Sequence, residues 1–180
     1  YGTGCLLTRD LEHLRRAHTI RADYMPALQE QSEFVDLCDI SPELSRDFRG
    51  LRVWLPLKMH GVAPFRSNLD EKLDLAEWAT RELRKISDEI DDELEIVAQP
   101  QLSILAFRLR REGLDEPALA KLNEEFLERI NTTRRVYLTP TLLDERYVIR
   151  ICVLCFRTHL DRMQECMKEV RRALTELERK

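Results

Sequence analysis

The chain has 180 residues, of which 43% are hydrophobic and 34% are charged, a balance that suits one packed domain or a large part of one. Its formal net charge of −4 excludes the strongly basic surface that is typical of nucleic-acid-binding domains. The sequence contains neither an apolar run of the roughly 20 residues that a membrane-spanning helix needs nor a signal peptide at its start.

The five cysteines are scattered along the sequence and odd in number. This pattern is typical of reduced thiols in a cytoplasmic protein rather than of a disulfide framework. Cys152 and Cys155 form a CxxC pair within residues 148–156, an apolar run that we interpret as a strand. Because residues three apart in a strand point to opposite faces, we predict no metal site at this pair.

The sequence begins at Tyr1 rather than at a methionine, and an apolar leucine pair follows almost at once. A natural N-terminus rarely opens inside a core segment, so we expect the chain to be a fragment of a longer protein. We predict a short buried strand at residues 5–8 and then a helix from its N-cap, Asp10, to about His18.

Residues 19–45 show no sustained periodicity, and connecting segments of this length are often functional or mobile. Two helices are predicted after them, at residues 46–60 with a kink at Pro56, and at residues 63–86. Apolar residues recur mostly every third or fourth position in the second helix and predict its buried face: Phe65, Leu69, Leu73, Ala76, Leu83 and Ile86.

The second half of the sequence shows strand and helix periodicities in turn. The predicted elements are strands at residues 94–98 and 103–109, a helix at 117–130, strands at 135–142 and 147–156, and a helix from Leu160. The apolar stripe of the last helix is explained better by packing on a sheet than by a coiled coil. This order predicts an α+β layer, a mainly antiparallel sheet with helices packed on one face.

Three features point to possible sites, and each leaves alternatives open. Arg150 lies in an apolar strand, so it faces solvent, joins a structural ion pair or meets an anion, because an unpaired buried charge is very costly. Tyr24 lies in the irregular segment, where a tyrosine is usually a surface residue. Ser45 and Arg46 precede a predicted helix, so the serine is its N-cap or, with the arginine, part of a phosphate site.

No complete local catalytic signature is present, such as a nucleophile elbow, a zinc-binding HExxH or a phosphate loop. Three segments, however, match a known pattern in the right order: YGTGCLLTRD at residues 1–10, DFRGLRVWLPLKMHGV at residues 47–62 and YVIRICVLC at residues 147–155. They resemble group II pyridoxal-phosphate decarboxylases, the family of aromatic-amino-acid and glutamate decarboxylases. The first segment is similar to the strand that follows the His-Lys motif of that family, and the third is similar to its closing strand.

The resemblance implies the C-terminal portion of a fold-type I, aspartate-aminotransferase-like enzyme of the α/β class. Residues 1–62 would end the large cofactor-binding domain, with a mobile loop at about 19–45 and a linking helix. Residues 63–180 would form the small α+β domain. Such enzymes are usually homodimers with active sites at the subunit interface, so the resemblance also implies a homodimer.

The resemblance further implies pyridoxal phosphate as the cofactor and a carboxy-lyase reaction, in which an L-amino acid becomes an amine and CO2. The lysine that attaches the cofactor, the histidine stacked on its ring and the aspartate at its pyridine nitrogen would lie upstream of Tyr1. The lysines of this chain lie on predicted helices, and none of them replaces that lysine. We therefore expect this polypeptide alone to be inactive.

Four residues match functional positions of the family. Tyr24 looks like the mobile-loop tyrosine that donates a proton to the substrate carbon. Arg150 looks like the small-domain arginine that binds the substrate carboxylate with its planar guanidinium. Ser45 and Arg46 match the segment that approaches the cofactor phosphate of the neighbouring subunit, although some members have glycine where Ser45 stands.

Two alternatives remain open. A related fold-type I lyase or aminotransferase would share the fold and would be distinguished by whether CO2 is released. A non-catalytic α+β interaction domain would explain the periodicities of the second half, but not Tyr24, the lone Arg150 or the ordered matches.

Overall fold

The described part of the chain comprises, in a computed structural model, residues 2–18, 37–43, 45–90 and 93–178. It divides into two units, Tyr1–Val62 and Ala63–Lys180. No helix of the described residues is both long enough and apolar enough to cross a bilayer.

Short helices and irregular segments make up the first unit. Helix α1 spans Leu11–His18, and Asp10 caps it as the sequence predicts. The Asp10 Oδ1 atom accepts a hydrogen bond from the backbone N–H of Glu12 at 2.9 Å, which satisfies one of the free donors at the helix start. A single 3₁₀ turn spans Leu37–Asp39.

Helix α2 spans Leu51–His60 and ends where the sequence predicts, at Gly61. Gly61 has a φ of +75°, a left-handed value that favours glycine, and its N–H donates to the Leu57 carbonyl at 2.9 Å. The predicted start at residue 46 is wrong, because the N-cap of α2 is Gly50. Glycine is a poor helix former, and Ser45 therefore does not cap this helix.

The buried strand predicted at residues 5–8 is also wrong. These residues are irregular, and Leu6 and Leu7 are 73% and 90% exposed. A strand is stable only when its backbone groups pair with a neighbouring strand, and none of the described residues pairs with this segment.

A four-stranded sheet forms the centre of the second unit. The strands are β1 (Glu93–Gln101), β2 (Ile104–Arg110), β3 (Thr139–Leu143) and β4 (Arg146–Cys152). They lie in the order β1-β2-β4-β3, and every neighbouring pair is antiparallel. Strand β3 is therefore an edge strand, and Pro140 within it is compatible with that position because proline cannot donate to a second neighbour.

Three helices pack on one face of this sheet: α3 (Ala63–Ser87), α4 (Glu116–Thr132) and α5 (Leu160–Glu178). Their core includes Leu83, Phe107, Phe126, Ile149 and Val170, each with no exposed surface. The predicted element order and the predicted α+β layer are confirmed. The sheet buries one face under amphipathic helices because both elements carry their apolar residues on one side.

Several boundaries and faces differ from the prediction. Phe65, Leu69 and Leu73 are 39%, 64% and 39% exposed rather than buried. The buried residues of α3 begin at Lys72 and, after Leu73, resume at Leu75. The predicted strand at residues 135–142 begins at Thr139 and ends at Leu143 instead. Strand β4 ends at Cys152, so Cys155 lies beyond the strand.

A buried asparagine joins α4 to the sheet. Asn123, which is 1% exposed, accepts the Leu109 N–H at 2.7 Å and donates to the Leu109 carbonyl at 2.8 Å. The β2–β4 ladder ends before Leu109, at the pair of Phe107 and Ile149. The asparagine amide thus satisfies backbone groups that the ladder leaves without a partner strand.

We expect Asn123→Ala to lower the free energy of unfolding of the second unit by about 2–4 kcal/mol, because it leaves a buried backbone donor and acceptor without a partner. Urea denaturation of the full-length protein measures this loss. Hydrogen exchange of the Leu109 amide, measured separately, reports the loss at the site of the substitution. Asn68→Ala is the matched control, because the Asn68 amide makes one 3.5 Å bond to the Phe156 carbonyl. Equal effects of the two substitutions would contradict the role of Asn123.

Candidate functional site

Arg150 lies in the middle of strand β4, on the sheet face that points away from the helices. Its neighbours Ile149 and Ile151 are buried in the core, so the alternation of the strand directs Arg150 to the opposite face. Arg150 pairs across the sheet with Ala106 of β2 on one side and with Thr139 of β3 on the other. The side chain is half-buried.

The guanidinium of Arg150 is largely unpaired. Its Nη2 atom donates to the Thr139 hydroxyl oxygen at 3.0 Å, whereas its Nε atom is buried and has no hydrogen-bond partner. Among the described residues, no carboxylate forms an ion pair with it. A guanidinium carries five N–H donors, and most of those of Arg150 have no partner among the described residues.

Arg108 lies on the same sheet face and provides a comparison, because carboxylates neutralise its charge. Its Nε donates to Glu95 at 2.6 Å and its Nη1 donates to Glu116 at 2.8 Å. Burial by itself would lower the pKa of Arg108, but the hydrogen bonds to the two glutamates outweigh it and raise this pKa above its usual value. The sheet therefore neutralises Arg108 with carboxylates and leaves Arg150 with a neutral hydroxyl.

Ser45 and Arg46 lie in the first unit, on an exposed and irregular segment. The described residues provide no hydrogen bond or ion pair to either side chain. Neighbouring arginines are engaged, since Arg49 pairs with Glu43 at 3.3 Å. A free hydroxyl next to a free guanidinium can donate to phosphate oxygens.

The structure brings together only some of the predicted site residues. Ser45 and Arg46 are adjacent in the first unit, and Arg150 lies in the second unit. Tyr24 falls within residues 19–36 and lies outside the described residues. The role of each of these residues therefore stays a prediction.

Sequence reasoning missed Thr139, because its pairing with Arg150 depends on the register that the β3–β4 turn sets. Asp144 and Glu145 both have positive φ, +49° and +63°, and form a two-residue hairpin turn of the type that matches the strand twist. Counting outward from this turn pairs Leu143 with Arg146 and then Thr139 with Arg150. A two-residue turn assigned at residues 144–145 would have predicted that pair.

The buried lysine of α3 has a structural role. Lys72 is 3% exposed, and its Nζ donates to Glu71 at 2.8 Å and to the Thr158 carbonyl. Its hydrogen bond and a second one from His159 lower the pKa of the Glu71 carboxyl. Because its amine is engaged in this cluster, Lys72 is poorly suited to attach a cofactor.

The thiol pKa values of two cysteines are shifted in opposite directions. Cys155 is exposed after β4, and hydrogen bonds from the backbone and the side chain of Arg157 lower the pKa of its thiol. Cys166 is buried in α5, and burial raises the pKa of its thiol to about 12.

Comparison with known proteins finds one family and relatives of that family. The family described as pyridoxal-dependent decarboxylase conserved domain matches residues 1–110. An aromatic-L-amino-acid decarboxylase from Bacillus atrophaeus is 31% identical over 173 residues, which cover 95% of this chain and 35% of the relative. A phenylacetaldehyde synthase from Petunia hybrida is 30% identical over 157 residues, which cover 83% of this chain and 30% of the relative.

A crystal structure of Oryza sativa TDC with PLP and tryptamine resembles the fold, with a TM-score of 0.77 at 22% identity. That match covers 94% of this chain and 34% of the rice chain. The predicted fold class is confirmed by this likeness. This chain spans about a third of the length of the curated relatives it matches.

We expect alkylation of Cys155 by iodoacetamide to reach its half-maximal rate at a pH below the usual thiol value of about 9, because a lowered pKa leaves more reactive thiolate at neutral pH. Peptide mass spectrometry across a pH series measures this. Arg157→Gln should move the midpoint to higher pH, and Cys166 should react only after unfolding. A midpoint that the substitution leaves in place would contradict the role of Arg157.

Proposed function

The chain belongs to the pyridoxal-dependent decarboxylase family, and we propose that it forms the C-terminal part of an enzyme that converts an aromatic L-amino acid to its amine and CO2. The names of the Bacillus relative and of the tryptamine complex support this substrate class. In this proposal, residues 1–62 end the large cofactor-binding domain and residues 63–180 form the small domain. The half-buried Arg150 with unpaired donors is the observation that carries it.

Pyridoxal phosphate is the cofactor of this family. When bound, it supplies an electron sink for the electron pair that remains as CO2 leaves. Ser45 and Arg46 fit its phosphate, because their donors have no partners among the described residues. The lysine that attaches the cofactor is proposed, on the family resemblance, to lie outside these 180 residues; the buried Lys72 is engaged with Glu71.

Arg150 is proposed to bind and orient the substrate carboxylate. A planar guanidinium with free N–H donors matches the two oxygens of a carboxylate, and burial strengthens that pairing. The carboxylate leaves as CO2, so Arg150 stabilises the bound substrate more than the state in which CO2 departs. The arginine therefore contributes mainly to substrate affinity and to the orientation of the bond that breaks.

Tyr24 is proposed to donate the proton that replaces CO2 on the substrate carbon. A phenol suits this task because it holds its proton at neutral pH and releases it to a carbon that has gained electron density. Protonation at that carbon gives the amine. This step separates an amine-forming decarboxylase from an enzyme that makes an aldehyde.

We also propose a homodimer with active sites at the subunit interface, located in the cytoplasm. The family resemblance supports the dimer. Helix α2 has no buried residue and carries Trp54 and Met59 at 57% and 67% exposure, an apolar surface that the rest of the protein or a partner subunit would cover. None of the five cysteines, all of which lie in the described residues, forms a disulfide, as is usual in a reducing compartment.

An aromatic aldehyde synthase is the second candidate, because the Petunia relative is named phenylacetaldehyde synthase. The product distinguishes the two candidates. A decarboxylase releases the amine with CO2, whereas a synthase of that name forms the aldehyde. The proposed proton donor Tyr24 favours the amine.

We expect the full-length protein, loaded with pyridoxal phosphate, to release CO2 and an amine from L-tryptophan or L-tyrosine. Tyr24→Phe should lower the rate of amine formation by about 10²–10⁴, the usual contribution of a general acid. Chromatography of amine and aldehyde products together with CO2 release measures both outcomes.

The matched control is Tyr137→Phe, because Tyr137 is 81% exposed and has no assigned role. The 180-residue chain alone should release no CO2. Turnover by that chain, or full amine formation by Tyr24→Phe, would contradict the proposal.

We expect Arg150→Gln to raise KM for the amino acid by about 10- to 100-fold, the effect of losing a charge-assisted pairing. The change in kcat should be smaller, because the lost contact belongs mainly to the bound substrate. Steady-state kinetics of the full-length enzyme measure both. Arg110→Gln is the control, since Arg110 is exposed and pairs with Glu93 at 3.4 Å; an equal change in both variants would argue against a carboxylate site.

A further inference from the structure

The partner of Arg150 is a neutral hydroxyl on an adjacent strand. Thr139 lies directly across from Arg150 in the β3–β4 ladder, and its Oγ1 accepts the Nη2–H at 3.0 Å. This is the one hydrogen bond that the Arg150 side chain makes among the described residues. The direction of the guanidinium in the sheet therefore depends on Thr139.

Threonine is well suited to hold a flexible arginine in place. An arginine side chain has many accessible rotamers, and a half-buried one would otherwise turn towards solvent. Threonine is β-branched, and its χ1 is restricted in a strand, so the backbone of β3 sets the position of the hydroxyl. The two-residue turn at Asp144 and Glu145 sets the register of β3.

The neutrality of this partner is chemically significant. At Arg108 the same sheet face supplies two carboxylates, Glu95 and Glu116, and the charge is neutralised. At Arg150 a hydroxyl orients the guanidinium, and no carboxylate among residues 2–18, 37–43, 45–90 and 93–178 compensates its positive charge. A carboxylate at position 139 would occupy the same donors that a substrate carboxylate needs.

We propose that Thr139 is a positioning residue, which orients the Arg150 guanidinium for the substrate carboxylate without neutralising its charge. This inference rests on the proposed function, because it requires that Arg150 bind a carboxylate. It adds a residue of β3 to the site and assigns the edge strand a role in substrate affinity.

The test compares two affinities in the full-length enzyme loaded with pyridoxal phosphate. One is KM for the aromatic L-amino acid that is turned over fastest, and the other is the inhibition constant of its product amine, which lacks the carboxylate. Thr139→Val should raise KM about three- to tenfold, the effect of losing one hydrogen bond, and leave the amine constant unchanged. Thr139→Ser keeps the hydroxyl and should restore most of the affinity.

Two further variants sharpen the test. Thr139→Glu should raise KM more than Thr139→Val does, because its carboxylate competes with the substrate for Arg150. Thr141→Val is the matched control, since Thr141 lies two residues along the same face, opposite Val148, and should leave both constants unchanged.

The outcomes separate the inference from the function on which it rests. If Arg150→Gln raises KM while Thr139→Val and Thr139→Glu do not, Thr139 has no positioning role and the carboxylate site stands. If Thr139→Val raises KM and the amine constant together and serine fails to restore them, its effect is structural and the inference is overturned. If Arg150→Gln leaves KM unchanged, the carboxylate site itself is wrong.

Discussion

The candidate site depends on one cation, the guanidinium of Arg150, which the described part of the sheet orients but does not neutralise. Arg150 donates to the hydroxyl of Thr139, and its buried Nε has no partner in the part of the chain that the structure describes. An unsatisfied buried donor costs about 1–3 kcal/mol, so this arrangement lowers the stability of the sheet. A ligand that supplies acceptor oxygens would recover that loss. A local loss of stability of this kind is expected where a structure serves binding.

Other buried polar groups of the second unit are bonded within the fold, and this contrast makes the candidate site recognisable. Arg108 is neutralised by two glutamates, Lys72 is bonded to Glu71 and a carbonyl, and Asn123 satisfies backbone groups where a strand ladder ends. Each of these groups is buried and is bonded within the fold. Arg150 differs because its position in the sheet is constrained while no carboxylate of the described residues neutralises its charge.

Periodicity predicted the second unit well because its elements bury one face against each other. The order of strands and helices, the N-terminal region of α4 and the single face covered by helices follow from alternation and from repeats of three and four. Periodicity failed where apolar residues have no partner in the described chain. Leu6, Leu7 and Leu69 have the pattern of core residues, yet 64% or more of each is exposed, since burial needs a second surface that no local pattern encodes.

The sequence by itself determined that Arg150 lies in a strand among apolar neighbours, and the ordered segments at residues 1–10, 47–62 and 147–155 indicated the family. Tertiary structure decided what surrounds that arginine. Thr139, its one bonded partner among the described residues, is 11 residues away along the chain. The two meet because a turn with two positive φ values sets the register of the hairpin. Backbone conformation at the turn, rather than residue type in the strands, thus selects the side chain that faces the guanidinium.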